Sequence, residues 1–162
     1  MPRPPIQLTE IADWLSTQLQ ADLPAKLIAA GLHAINAWYV GDPTITPDLE
    51  PNMPILTVSY GIPEGGVSVK PASIGGGQQY HYRYRIIVAT GVTFSASEIL
   101  AASGYLRAVK QCLDNYPAHI DAAIQFKNGL PQDGGVGFIV DAMAGFTFTG
   151  ATWTWGCDSA IS

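Results

Sequence analysis

The residues able to do chemistry in this chain are few and widely spaced. Its three histidines, His33, His81 and His119, stand far apart. None has a second ligand at metal spacing, and a zinc site with Cys157 or Asp121 would have to be assembled in space. Ser59 in "VSYG" and Ser68 in "VSVK" lack the flanking glycines of a nucleophile elbow. The carboxylates Asp48 and Glu50 lie in a proline-rich stretch with no apolar setting to raise a pKa. "GIPEGG" and "GGVGF" fit neither dinucleotide nor P-loop patterns, and neither opens a helix that could hold a phosphate. No constellation supports catalysis, and no cofactor or metal is expected.

One stretch does concentrate charge. In "YHYRYRIIVAT" alternation puts Tyr80, Tyr82, Tyr84 and Ile86 on one strand face and His81, Arg83 and Arg85 on the other. Three readings of the cationic stripe compete. Acids on a neighbouring strand, with Asp121 and Asp141 available, would answer it inside the sheet. Acids of another copy, such as Glu64 or Asp13, would make it a subunit contact. Phosphate binding with the tyrosines as stacking platforms fails on parity, because arginines and tyrosines face opposite ways. Trp153 and Trp155 in "TWTWG" are open to three readings too: core residues, an aromatic contact patch for a partner, or a sugar platform. The candidate subunit-interface residues are His81, Arg83, Arg85, Glu64, Lys70, Trp153 and Trp155.

The elements that position these residues follow from periodicity. Leu8, Ile11, Leu15 and Leu19 step as a helix with Thr9 as N-cap, and a second short helix is expected from Asp22–Pro24 to a stop at Gly31. "HAINAWYV" and "ILTVSYG" are strands, separated by the proline-studded "GDPTITPDLEPNMP". Residues 61–79 read as a flexible loop or an extended hairpin with "VSVK" as one arm. Ser95 and Glu98 have capping-box spacing, and Phe94 and Ile99 that of a hydrophobic staple. They open a helix over Ser95–Tyr116 with Ile99, Ala102, Leu106, Val109 and Leu113 on its buried face. "DAAIQF" is a strand and "KNGLPQDGGVG" a loop. From Val136 through Phe148 one parity is apolar. The apolar parity changes at Trp153, which predicts a bulge or tight turn at Gly150-Ala151.

The order implies an α+β fold: a mostly antiparallel sheet with helices packed on one face and a long glycine-rich loop or hairpin. A single domain over 1–162 is expected, with a proline-rich arm at 1–7. Hydrophobic residues make up 48% and charged residues only 13%, which favours a subunit covered by neighbours. The net charge of −5 is segregated. Residues 1–64 carry two cations against seven acids, residues 65–110 five against one, and residues 111–162 one against five. Acidic overall, the chain is ill suited to gripping nucleic acid, but its blocks suit head-to-tail association. Two cysteines do not make a disulfide framework, and neither a signal peptide nor a membrane span is read. Assembly in a reducing cytoplasm is expected.

An N-terminal helix, "PILTVSYG", a loop, "YRYRIIVAT", the capped helix "SASEILAASGYLRAVKQCLDNY" and a closing strand pair resemble, over most of the chain, the small tail-terminator and neck proteins of long-tailed bacteriophages. The resemblance implies a structural virion protein of the neck, assembled in the host cytoplasm. It would form a homo-oligomeric ring, usually a hexamer, that caps the tail tube and ends its polymerisation. Its implied partners are the tail tube protein and the head-side connector, with DNA passing through the bore without sequence-specific binding. The family carries no catalytic residues. Another neck or head-completion component, and a monomeric ligand-binding module using a tryptophan patch, are the alternative readings.

Overall fold

Leucines at steps of three and four set the first element of the computed structural model, which describes residues 8–41, 52–60, 66–71, 78–92, 95–120, 124–141 and 146–159. Helix α1 (Leu8–Ala29) buries Ile11, Leu15, Leu19, Leu23 and Leu27 along one stripe. It is one helix where two were expected. Pro24 falls on the exposed side, so the Gln20 carbonyl that loses its partner can be hydrated, while Leu23 and Leu27 carry the stripe onward. Thr9 lies inside the first turn, not at the cap. The expected stop at Gly31 is present as a Schellman turn. Gly31 has φ +70°, its N–H donates to the Ile28 carbonyl (3.1 Å), and the Leu32 N–H donates to that of Leu27 (2.9 Å).

Strands β1 (Ala37–Val40), β2 (Ile55–Ser59), β3 (Gly66–Pro71) and β4 (Gln78–Gly91) precede helix α2 (Ala96–Leu113). Then come β5 (His119–Ile120), β6 (Gln125–Asp141) and β7 (Phe146–Ser159). The sheet order is β1-β2-β4-β7-β6-β5, with β3 also on β4, and only the β1–β2 pair is parallel. This is the expected α+β architecture. Because β7 follows β4 from His81 to Gly91, β2 and β3 share the opposite edge of β4. β2 takes positions 85–89 and β3 positions 78–83. The "VSVK" arm thus forms a hairpin with β4. No helix among the described residues is long and apolar enough to cross a membrane.

Both helices cover one face. Tyr82, Tyr84, Ile86 and Val88 of β4 join Leu56, Val58, Trp155 and Cys157 beneath Leu15, Leu19, Val109 and Leu113. The Tyr84 hydroxyl donates to the Leu8 carbonyl at 2.7 Å and ties the start of α1 to the sheet. In α2 the Ser95 hydroxyl accepts from the Glu98 N–H (3.2 Å). The Glu98 carboxylate turns towards Gly91, so only half of the capping box forms. Phe94, the other half of the expected staple, lies outside the described residues. A second, smaller cluster of Ile55, Ile87, Ala89 and Phe148 sits on the sheet face away from the helices.

Three strand expectations are corrected. "HAINAWYV" is strand only from Ala37. "KNGLPQDGGVG" is not a loop but the middle of β6, whose register slips between Lys127 and Leu130 and again between Pro131 and Asp133. Asn128 at φ +57° and the Gly129 N–H bonded to the Pro117 carbonyl (2.7 Å) absorb the first slip, as bulges do. The run from Val136 to Phe148 is two strands of a hairpin, not one strand. Its register joins even positions to odd ones (Val136 to Ala151, Phe138 to Thr149), so Val136 faces the helices and Phe148 the other side. The parity change needs no bulge in β7. The irregularity nearby belongs to β4, between Ala89 and Gly91, opposite Gly150 and Thr149.

Candidate functional site on the sheet face away from the helices

Sheet register alone builds this site. β4 presents His81, Arg83 and Arg85 beside Asp158, Gly156 and Thr154 of β7, and β6 sets Asp133 beside Thr154 and Gly135 beside Thr152. Between the arginine row and β6 the short threonines and the glycines leave a groove of about 390 Å³. Arg83, Arg85, Thr152, Thr154, Gln132 and Asp133 line it.

The stripe divides. His81 Nδ1 lies 2.7 Å from Asp158 Oδ1, and Asn128 Nδ2 donates to Asp158 Oδ2 at 3.0 Å. His81 is therefore answered within the sheet, by an acid other than the expected pair. Asp121 lies outside the described residues, and Asp141 pairs with Phe146 at the far end of β6. Partly exposed, the His81–Asp158 contact is worth about 0–1 kcal/mol. Arg83 is exposed and Arg85 half-buried, and both open into the groove, where Asp133 is the one acid lining it among the described residues. Guanidinium groups offer forked donors that match carboxylates and phosphates, so the groove can recognise anions.

The other candidates are placed as follows. Trp155 is fully buried, its ring tilted against Tyr84 (6.1 Å) and edge-on to Phe126 (5.4 Å). With no exposed surface it sits in the core, the first of the readings given to the tryptophan pair. Trp153 is half-buried on the helix side, its Nε1–H donating to the Leu106 carbonyl at 2.7 Å. Lys70 is placed by its backbone, opposite Gln79 in the β3–β4 hairpin. Glu64 lies outside the described residues. On the same hairpin Val67 and Val69 are 45% and 50% exposed, opposite Tyr82 and Tyr80. Sequence reading missed Asp158, Gln132, Asp133 and the two threonines, because reading 127–137 as a loop hid the neighbour strand that completes the groove.

Elsewhere, a hollow of about 470 Å³ lies between α1 and the end of α2, lined by Trp14, Gln18, Asp22, Lys26 and Asn115 with Tyr116. There the Tyr116 hydroxyl donates to Asp22 Oδ2 at 2.5 Å, and Trp14 packs on His119 at 4.8 Å. Burial, then the Asp22 contact, pushes the Tyr116 hydroxyl pKa well up. These are ties between elements. Burial also pushes the Cys112 thiol up to about 11 and raises that of Cys157, so neither is an activated nucleophile. No group of three or more metal-binding side chains converges among the described residues.

No family model matches the chain, and no curated protein does. Among solved structures it is similar to a chain of one titled "Virion of native gene transfer agent (GTA) particle". The identity is 14% and the TM-score 0.47, with 90% of this chain and 92% of that chain covered.

Proposed function

We propose that this chain is a structural virion protein of a tailed bacteriophage, a tail terminator without catalytic function. Copies of it form a ring, a hexamer in this reading, that caps the tail tube, ends its polymerisation and joins it to the head-side connector. DNA passes through the bore without being read. The observation that carries the assembly part is where the exposed aliphatic side chains lie. Of the seven large hydrophobics exposed among the described residues, five sit on strands bordering the sheet: Val40, Val67, Val69, Ile120 and Leu130. β5 covers β6 only at Gln125 and Phe126, so Leu130 is on an edge as well. Monomeric sheets guard such edges with charge, and apolar edges are built to be covered. The phage part takes its support from the element order described above.

The test is the size of the particle. Light scattering and negative-stain imaging of the purified chain should show a closed ring. Val67→Lys with Val69→Lys should leave monomers whose stability lies within about 0.5 kcal/mol of the parent, as exposed positions allow. Rings that persist in this variant defeat the edge argument.

A further inference from the structure

We propose that the Arg83/Arg85 groove receives the acidic first turns of α1 from a second copy, so that successive copies pack sheet face to helix face. This rests on the ring reading and names the contact that would close it. Among the described residues lining the groove, two guanidinium groups face one carboxylate, Asp133. On α1, Glu10 and Asp13 are both exposed, and no cation lies on that helix before Lys26 in its last turn. The two surfaces are complementary in charge but cannot meet within one molecule, because α1 packs on the face formed by Tyr82 and Tyr84 while the arginines point from the other.

A surface and its complement on opposite faces of one chain is the requirement for heterologous, head-to-tail association, which closes into a ring when the rotation allows. The groove floor suits the role: Thr152, Thr154 and Gly135 keep it low enough for side chains of another copy to reach the arginines. His81 takes no part, its partner being Asp158. A carboxylate is matched by the arginine fork in the same way as a phosphate. The acidic character of the chain and the sequence-wide segregation of charge favour the carboxylate of a second copy over a nucleic-acid backbone.

Charge exchange tests this directly. One variant carries Arg83→Glu and Arg85→Glu, the other Glu10→Arg and Asp13→Arg, each checked for folding by circular dichroism and thermal melting. Alone, each should lose self-association by at least about tenfold in sedimentation, since like charges then face each other. Mixed in equal amounts, they should assemble again, because every reversed groove meets a reversed helix in an alternating ring. Folded variants that assemble singly, or that fail to recover on mixing, overturn the pairing while the ring itself stands. A wild-type chain that stays monomeric at every concentration overturns the ring reading. A groove variant that assembles normally but loses retention on duplex DNA overturns the proposal in favour of phosphate.

Discussion

Replacing Gly150 by alanine should damage the fold far more than the same change a few residues away on the neighbouring strand. Gly150 pairs with Ala89 of β4 and Gly137 of β6, where β4 carries its extra residue. A Cβ there would stand 2.2 Å from the Val88 carbonyl oxygen and 3.1 Å from its carbon. Carbon–oxygen contacts settle at about 3.3–3.6 Å, so the strands would have to part by about 1 Å. Both neighbours are backbone in a paired ladder, so no side chain can swing aside. Overpacking of this kind costs about 1–3 kcal/mol, and a weakened ladder bond adds about 1 kcal/mol, giving about 3 kcal/mol in all. Gly135 is the control, because a Cβ there meets nothing within 4 Å. Gly135→Ala should be neutral or gain about 0.4–1 kcal/mol by restricting the unfolded chain. Urea unfolding at unchanged m-value reads both, and for a chain of this size the loss at Gly150 is a fall in Tm of about 6–12 °C. A Gly150→Ala protein within about 0.5 kcal/mol of the parent, or a Gly135→Ala protein equally destabilised, would show that the close backbone approach at Gly150 is not what limits that site.

Ser95→Ala should cost about 1 kcal/mol by removing the cap on α2, and Ser95→Asp should retain most of it, both by chemical denaturation. Tyr84→Phe removes the bond to the Leu8 carbonyl and should cost about 1 kcal/mol, with hydrogen exchange rising first at the start of α1. Alkali should weaken the fold. Burial raises the Cys112 thiol from 9.0 to about 11, so the unfolded chain gives up its proton first. The stabilisation is complete below pH 9 and drains away towards pH 11, a loss of up to about 2–3 kcal/mol. Tyr82, pushed up to about 12 by burial, extends the decline beyond pH 10. Because burial raises the Cys157 thiol too, it adds its own decline above pH 9, so Cys112→Ala should make the pH 9–11 limb of a stability-versus-pH curve shallower without abolishing it, and an unchanged slope would reject the assignment.

Local patterning determined much of this protein. The stripe Ile11, Leu15, Leu19 made α1, the Ser95–Glu98 spacing began α2, and strict alternation split Tyr82 and Tyr84 from Arg83 and Arg85. Such features depend on neighbours within a turn or two of chain, where the period of the side chains is also the period of burial. Which strands lie together was settled by long-range packing. Lys127 to Gly137 looked like a loop because it is rich in glycine, yet pairing with β7 holds it as strand, with bulges taking up the misfit. That pairing set Asp133 and Gln132 beside the arginines, while the β4–β7 register gave His81 to Asp158 and turned Trp155 inward. A contact such as that of His81 with Asp158 joins positions 77 residues apart, and its register is fixed by the packing of whole strands, which no local spacing records.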